Sequence, residues 1–571
     1  MSHAAAAAAT PTRALKLRAT ASDHVAAGGI VVVALLLVAF LALPLAAILS
    51  QALQDAQGRF VWLANFIAYA KTPALLDSLF NSLWVSALVT LLAVPGAFVF
   101  AYALTRSRIR FKALARGITL IPLLAPSLLS AISLIYWFGN QGALKDLLTS
   151  LGISQIYGAP GIVVAECFAV FPHALMILVT ALTAADGRLY EAADALGTSK
   201  PRTFWTITLP GAKYGLISAS LVVFTLVITD FGIPKVIGGN FNVLATDVFK
   251  LVIGQQDFQR GAVVALLLLA PAVLTFVVDR VVSRKQTAML TARAVPYRPR
   301  RSAWRDGLLG GYCLLVCALM LAMIGMAVFA SFAKFWPYDL SLSLRHYELG
   351  LFDAEVGEGF VNSLRMAAGT ALAGTALVFV GAYLLEKTRV PGPLRGLVQL
   401  LAMLPMAVPG LVLGLGYIFF FNEPRNPLNG LYHTMTLLTL CSIVHFYTTG
   451  HLTAVTALKA LDAEFEAVSA SLKVPFYKTF WRVTLPICMP ALVDIARYFF
   501  VNAMTTISAV VFLYSPETKV ASIAILNLDE AGEIGAAAAC AVLIAAASAV
   551  ATLLFWLLSL WIGKRTQAWK A

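Results

Sequence analysis

The sequence predicts an all-α integral membrane protein that crosses the bilayer about twelve times, as two parallel repeats of six helices. Three observations predict this fold class: the apolar composition, the spacing of long apolar segments, and an internal repeat. Of the 571 residues, 60% are hydrophobic and 12% are charged, against roughly 45–50% and 25% in soluble proteins. The composition therefore excludes a set of soluble domains, a disordered chain and a disulfide-rich scaffold.

Twelve segments are long and apolar enough to span a bilayer, which takes about 20 helical residues. They lie roughly at 29–51, 78–104, 114–138, 160–184, 214–239, 261–283, 308–333, 359–385, 396–421, 434–458, 487–513 and 534–562. The first follows a basic stretch, but its apolar run is longer than the roughly 7–15 residues of a secretory signal. We therefore expect it to be retained as a membrane helix.

Basic residues divide unevenly between the two sides of the predicted membrane. About 30 of the 42 Lys and Arg residues fall on the N-terminus, the even-numbered connections and the C-terminus, and such residues collect on cytoplasmic loops. The opposite loop at 335–360 is acidic. This uneven distribution predicts that both termini are cytoplasmic. It also explains the net charge of +14, so the expected partner is membrane lipid and not nucleic acid.

The two halves of the chain repeat each other. Three runs recur with an offset of 276 to 281 residues: Asn-Ser-Leu at 81–83 and 362–364, Thr-Phe-Trp at 203–205 and 479–481, and Leu-Pro at 209–210 and 485–486. Equivalent residues are six spans apart, so both halves share one topology, as in parallel repeats. The predicted regions are a cytoplasmic tail at 1–28, a first half at 29–283, a basic linker at 284–306 and a second half at 307–571.

Each half carries a long polar connection after its fourth span. In the first half, residues 191–196 are good helix formers, Gly197 suits the left-handed end of a helix, and Pro201 suits the first turn of a second helix. A helix–glycine–helix element of this kind can insert into a groove on a soluble partner. We call residues 189–210 docking loop 1 and the equivalent residues 465–486 docking loop 2.

Docking loop 1 resembles the signature loop of permease subunits of bacterial ABC importers. The matching residues are Glu191, Ala192, Ala193, Gly197, Leu209 and Pro210, and the resemblance covers about 77–283 and 358–562. It implies that each loop inserts into a cleft of a separate ATP-binding subunit, so that two copies serve one chain. It also implies a periplasmic solute-binding protein and a multi-pass location in the bacterial inner membrane.

Docking loop 2 departs from this pattern. Aligned on Leu485 and Pro486, Ala467 stands where Glu191 stands, with Glu466 one residue early, and Lys473 stands where Gly197 stands. We expect loop 2 to dock with altered contacts, and drift without functional consequence is the alternative.

The chain has no ATPase motif of its own. A P-loop requires GxxxxGK[ST], whereas the one Gly-Lys pair, at 563–564, is followed by Arg565. We therefore expect no enzyme activity and no cofactor on this chain, with ATP and magnesium bound by the partner subunit. No metal site is predicted either.

Ionisable groups inside predicted spans are functional candidates, because a charge at the bilayer centre costs about 2.5–3.5 kcal/mol. The candidates for a transport pathway are Glu166, Asp230, Lys235, Asp494 and Arg497. The last two are three residues apart and can equally form a local ion pair. Gly232 and Pro234 predict a broken helix beside Asp230, and such backbone lines cavities.

The substrate expectation also comes from resemblance. Residues 505–516 resemble the fused permeases of 2-aminoethylphosphonate importers, and the fused two-half layout is similar to that of ferric-iron permeases. An aminophosphonate carries both charges, so Asp230 or Glu166 would meet its ammonium group. Lys235 or Arg497 would meet its phosphonate group. The expected substrate is therefore 2-aminoethylphosphonate, with ferric iron or another small solute as the alternative.

Two other classes of protein stay open. An ion-coupled secondary transporter would use the intramembrane carboxylates as a relay, but it has no use for two docking loops. A membrane enzyme would need a cluster of metal ligands near one interface, and the sequence shows none. These features favour an ABC importer permease.

Overall fold

The computed structural model describes residues 21–289, 295, 297–352, 354–462 and 464–566. The first half contains helices α1 Ala21–Leu37, α2 Leu43–Ala52, α3 Ala64–Ala70, α4 Pro73–Arg106, α5 Lys112–Leu120, α6 Leu128–Phe138, α7 Lys145–Ser150, α8 Ala159–Thr183, α9 Gly187–Ala195, α10 Lys200–Thr203, α11 Leu209–Thr229, α12 Gly232–Ile237, α13 Leu244–Phe249 and α14 Phe258–Met289. The predicted tail lies largely outside the described residues, as do residues 290–294 and 296 of the predicted linker.

The second half repeats this order after one added hairpin. It contains α15 Ala303–Phe332, β1 Ala333–Phe335, β2 Asp339–Leu342, α16 Arg345–Phe352, α17 Ala354–Lys387, α18 Gly392–Met403, α19 Gly410–Phe421, α20 Met435–His445, α21 Tyr447–Lys459, α22 Glu464–Ser471, α23 Phe476–Thr479, α24 Leu485–Thr505, α25 Ala521–Glu530 and α26 Ile534–Thr566. The antiparallel β1–β2 hairpin and α16 occupy most of the segment that the sequence predicted as an acidic loop.

Within the described ranges, nine helical segments are long and apolar enough to cross a membrane, and two bent pairs raise that number to eleven. The bent pairs are α5–α6, at 103°, and α18–α19, at 115°, where the sequence predicted continuous spans. The predicted span at 434–458 is divided at Phe446 into α20 and α21, each shorter than the roughly 20 residues of a spanning helix. Twelve spans and cytoplasmic termini therefore remain predictions.

Repeated prolines explain the two sharp bends. Pro126 and Pro409 lie in the breaks between the two arms of each bent pair, and Pro122 and Pro405 lie in the short 3-10 turn just before each break. Proline removes a backbone donor and clashes with the preceding turn, so a helix breaks there. The sequence shows this proline repeat, but the spans predicted from hydrophobicity ran through it.

The repeated Asn-Ser pair has the same task in both halves. Ser82 Oγ in α4 accepts a hydrogen bond from the Leu244 amide at 2.8 Å, and Ser363 Oγ in α17 accepts one from the Ala521 amide at 2.8 Å. The adjoining asparagines donate to carbonyl groups of the same segments. The first amides of a helix have no intrahelical acceptor, so each pair fixes the start of α13 or α25 against a long membrane helix.

The first membrane helix of each half packs on the core of the other half. The Tyr417 hydroxyl in α19 donates to the Phe40 carbonyl between α1 and α2 at 2.7 Å, and the Phe40 and Phe421 rings lie 5.6 Å apart. Conversely, the Tyr312 hydroxyl in α15 donates to the Gly96 carbonyl in α4 at 2.8 Å. The two halves are therefore interlocked, and each core includes a helix of the other repeat.

One buried apolar cluster joins the two halves. It contains Leu128 and Val248 of the first half together with Leu411 and Val510 of the second, all fully buried. Close to it, the Phe249 ring stacks on a second-half phenylalanine with centroids 6.1 Å apart. Van der Waals packing of this kind holds helices together where lipid removes the hydrophobic driving force.

Candidate functional site: two docking loops and a buried carboxyl pair

Docking loop 1 folds as the two short helices that the sequence predicted, α9 and α10. Gly197 lies between them with φ +67°, in the left-handed region that glycine tolerates best. A Cβ at this position would contact nothing within 4 Å, so the backbone angle and not the space requires glycine. Asp186, which sequence reasoning missed, caps α9 by accepting a hydrogen bond from the Arg188 amide at 3.0 Å.

Docking loop 2 follows the same backbone path. Its helices are α22 and α23, and Lys473 lies between them with φ +55°. The alignment of Lys473 with Gly197 is thereby confirmed at the level of the backbone. A left-handed non-glycine residue costs about 1–2 kcal/mol, so loop 2 carries a strain that loop 1 avoids.

Both loops present an exposed apolar surface. In loop 1, Leu189 and Leu196 are 57% and 83% exposed, and they lie seven residues apart, which is about two helical turns. The equivalent residues of loop 2, Phe465 and Leu472, are 37% and 70% exposed. Glu191 and Ala192 are also exposed, as is Ala467, whereas Ala193 is a buried residue of α9. Large exposed apolar side chains on one face mark an interaction surface.

The Leu-Pro pairs end the loops by starting membrane helices. Leu209 and Leu485 are the first residues of α11 and α24, and Pro210 and Pro486 follow at the second position. The first turn of a helix needs no amide donor, so proline fits there. The Leu-Pro pairs therefore have a structural role, which is to start α11 and α24.

Aromatic contacts fasten each loop to the long membrane helix beside it. The Phe204 ring lies 5.9 Å from the Tyr102 ring of α4, and the Phe480 ring lies 4.8 Å from the Tyr383 ring of α17. Both phenylalanines begin a single π-helical turn before α11 or α24. The two halves thus use one anchoring device twice.

A buried cation at the end of α4 or α17 also contacts the docking helix. Arg106 is 3% exposed, and its guanidinium lies 4.8 Å from the Tyr190 ring centroid and donates to the Tyr190 hydroxyl at 3.3 Å. In the second half, Lys387 Nζ lies 2.8 Å from Glu466 Oε1. Lys387 follows Arg106 by 281 residues and Glu466 follows Tyr190 by 276, so the two pairs occupy equivalent positions.

Glu466 is therefore not a shifted copy of Glu191. It takes the place of Tyr190, faces the membrane helix and is 28% exposed in its side chain. The sequence alignment suggested a docking glutamate that had moved by one position. The structure instead places Glu466 in the contact that holds the loop to its own half.

An ion pair also closes docking loop 1 on itself. The Lys200 ammonium lies 2.6 Å from Asp194 Oδ1, and Arg300 of the linker lies 3.5 Å from Asp194 Oδ2. The hydrogen bond from Lys200 is the main reason that the pKa of the Asp194 carboxyl is lowered. The linker reaches the loop a second time through the Gly187 amide, which donates to the Val295 carbonyl at 2.8 Å.

Two of the predicted pathway residues are in contact. The carboxyl groups of Glu166 in α8 and Asp230 lie close enough to interact, and the Ser127 hydroxyl lies beside Asp230. Asp230 Oδ2 also accepts from the Ile233 amide at 2.8 Å, where α11 breaks before α12, so the predicted helix break is confirmed. Glu166 is 1% exposed, and its Oε1 has no hydrogen-bond partner among the described residues.

The other predicted pathway residues lie apart from this pair. Lys235 forms a 2.7 Å ion pair with Glu530 of the second half. Asp494 and Arg497 form the predicted local pair at 3.8 Å, are about half exposed, and line a 380 Å³ cavity with Trp556 of α26. Each cation thus has a carboxylate partner, and the proposed phosphonate contact with Lys235 or Arg497 gains no support. Among the described residues, no three His, Cys, Asp or Glu side chains group as metal ligands.

Comparison with known proteins identifies the family. Residues 93–287 and 377–564 match the model of the binding-protein-dependent transport system inner membrane component. The chain belongs to this family, once in each half, and is the permease component of an ABC importer.

Two relatives resemble the chain along most of its length, and a third resembles less than half of it. The ferric transport system permease protein FbpB of Actinobacillus pleuropneumoniae is 30% identical over 80% of this chain and 68% of its own. The putative ferric transport system permease protein FbpB 1 of Haemophilus influenzae is 28% identical over 77% of this chain and 70% of its own. The molybdenum transport system permease protein ModB of Mycobacterium tuberculosis is 29% identical over 42% of this chain and 88% of its own.

A solved bacterial alginate ABC transporter, in complex with its alginate-bound periplasmic protein, contains a weaker structural match. One of its chains aligns with 46% of this chain and 96% of its own at 13% identity, with a TM-score of 0.40. This likeness is too slight to carry an argument. The family assignment depends on the sequence matches alone.

Exchanging the residues at the left-handed position tests the equivalence of the loops. We expect Lys473→Gly to raise stability by about 1 kcal/mol, because glycine adopts positive φ without strain, and Gly197→Lys to lower it by a similar amount. Thermal unfolding of the purified chain measures both changes. A lower melting temperature for Lys473→Gly would contradict the shared backbone path.

Transplanting the first-half pair into the second half tests the cation contact. Glu466→Tyr alone removes the carboxylate from Lys387, which is 11% exposed, and we expect it to loosen docking loop 2. Adding Lys387→Arg recreates the Arg–Tyr pair and should restore stability, with a coupling of about 0.5–3 kcal/mol. A thermal-unfolding double-mutant cycle measures this coupling, and strictly additive effects would contradict the equivalence.

Proposed function

We propose that this chain is the permease of a bacterial inner-membrane importer of ferric iron, driven by two copies of a separate ATP-binding subunit. A soluble periplasmic protein delivers the iron. The observation that carries the coupling part of the proposal is the pair of equivalent docking loops with exposed apolar faces. The substrate part is supported by the ferric transport permeases that align along most of the chain.

The docking loops suit an ATPase partner for three reasons. Each is a helix–turn–helix element at the end of the bundle, fastened to its half by a buried cation and an aromatic pair. Each exposes a large apolar side chain at the helix end, Leu196 or Leu472. The chain also lacks a P-loop, so energy must come from a bound subunit. Two equivalent surfaces imply two ATPase copies per chain.

Ferric iron suits the buried carboxyl pair better than an aminophosphonate suits the cations. Fe³⁺ is a hard ion that oxygen ligands bind well, and Glu166, Asp230 and Ser127 bring only oxygen atoms together. The cations that a phosphonate would need are engaged, Lys235 by a carboxylate of α25 and Arg497 by its neighbour on α24. The iron is cargo that passes this pair, not a resident cofactor.

The segment between α15 and α17 offers a contact for the iron-delivering protein. It lies at the end of α15 opposite the linker, and its hairpin exposes Phe335, Tyr338 and Leu342 at 62%, 74% and 73%. Asp339 lies beside them with 43% of its side chain exposed. This surface combines apolar and acidic groups at the face where a delivered substrate would enter.

Charge substitutions in the docking surfaces test ATPase binding. We expect Leu196→Asp to weaken binding of the ATPase at least about tenfold, because a buried apolar anchor contributes about 1.5–3 kcal/mol, and Leu472→Asp to do the same at the second site. Titration of the labelled ATPase onto the purified permease measures both. Leu151→Asp, at a 69% exposed position outside the loops, is the matched control, and an equal loss there would contradict the assignment.

Uptake by reconstituted vesicles tests the substrate and the power source. Vesicles that contain the permease and its ATPase should accumulate ⁵⁵Fe from an iron-loaded binding protein only with ATP. Asp230→Ala should reduce that uptake at least about tenfold through loss of an oxygen ligand, with ATPase binding unchanged. Uptake of 2-aminoethylphosphonate and not iron would overturn the substrate. Iron uptake on a proton gradient without ATP would overturn the coupling.

A further inference from the structure

A cavity of about 390 Å³ opens at the docking-loop end of the first half. The end of α4, the start of α5, the end of α8 and Tyr297 of the linker surround it. Three cations line it, Arg106, Lys112 and Arg116, and among the described residues no carboxylate does. The lining of the cavity therefore carries a net positive charge at the docking-loop end of the first half.

Arg106 is buried but not fully satisfied. Its guanidinium lies between the rings of Tyr190 and Tyr297, 4.8 Å from each centroid, and donates to the Leu182 carbonyl at 2.8 Å. Its Nε has no hydrogen-bond partner among the described residues. A buried donor without an acceptor is unfavourable. A bound ligand could supply the acceptor that Arg106 Nε lacks.

The nearest carboxylate does not fill that role. Asp306 accepts hydrogen bonds from the Arg305 side chain at 2.9 Å and from the Arg108 amide at 3.3 Å. Lys112 donates to the Ser107 carbonyl, and Asp306 attracts its charge while Arg305 and Arg108 repel it. One carboxylate that is already engaged does not balance the three lining cations, so the cavity can still attract an anion.

The second half provides an internal comparison. There the cation equivalent to Arg106 is Lys387, which is neutralised by Glu466 at 2.8 Å. With the offset of 283 that relates the prolines of the two bent helices, Arg116 is replaced by Gln399. The same offset pairs Lys112 with Arg395, which keeps its charge. The second half therefore retains two of the three cations, one of them neutralised, and the full unpaired set of three occurs in the first half.

We propose that this cavity binds the phosphate group of an anionic phospholipid. Arginine and lysine form strong charge-assisted hydrogen bonds with phosphate oxygens, and basic pockets between membrane helices accommodate such headgroups. Leu104 and Val179 add apolar walls to the same cavity, which an amphiphile uses and a free phosphate does not. The bound headgroup contacts Arg106 and Tyr297, the residues that support docking helix α9.

Lipid binding to the purified full-length chain tests the proposal. Native mass spectrometry in detergent would follow binding of dioleoylphosphatidylglycerol, dioleoylphosphatidylcholine and inorganic phosphate. We expect the phosphatidylglycerol to bind about tenfold more tightly than the phosphatidylcholine. Arg116→Gln, which introduces the residue found at 399, should reduce this preference about fivefold. Arg280→Gln, which changes an exposed cation of α14 outside the cavity and the docking loops, should leave it unchanged.

Three outcomes would overturn the proposal. Equal affinity for the two lipids would mean that the cavity does not select anionic headgroups. Equal losses in the two arginine variants would mean that net charge alone attracts the lipid. Tight binding of inorganic phosphate without a lipid preference would assign the cavity to a free oxyanion. None of these measurements uses ATP or iron, so they are independent of the proposed transport function.

Discussion

The structure depends on one contact that is made twice, between a cation largely removed from solvent at the end of a long membrane helix and the first docking helix. A buried charge must be paired or hydrogen-bonded, so the cation fixes where the docking helix lies. Arg106 meets this demand with Tyr190, and Lys387 meets it with Glu466. The chemistry differs, but in both halves the docking helix is in direct contact with α4 or α17.

The interlocked first helices add a second constraint. The segment of α1 and α2 packs on α19, and α15 packs on α4. If the angle between the halves changes, the first helix of each half must therefore move with the opposite half. The Lys235–Glu530 ion pair lies across the same boundary. Both docking loops therefore belong to one connected body.

Local features of the fold could be predicted from the sequence because they depend on local chemistry. Gly197 indicated a left-handed turn, Gly232 and Pro234 indicated a broken helix, and both are present. The division of the tenth predicted span at Phe446 was missed because hydrophobicity continues through the break. The exchange of first helices was also missed, since it is a packing relation between distant segments that no periodicity records.

The role of Glu466 shows why sequence similarity between the two loops was insufficient to predict which residues face the partner. The offset of 276 pairs Glu466 with Tyr190, but the sequence suggested a docking glutamate displaced from Glu191, and the ion pair with Lys387 shows its role instead. Lys235 looked like a substrate ligand because its partner, Glu530, lies 295 residues away. The sequence shows which charged residues lie in predicted spans, but only the folded structure shows which residues they contact.

The most direct test of the central claim is the mass of the intact complex purified from native membranes. The account predicts two ATP-binding subunits per chain, one on each docking loop. A complex with a single ATPase would contradict the equivalence of the loops. A chain that purifies without any ATPase and still transports its substrate would contradict the coupling mechanism itself.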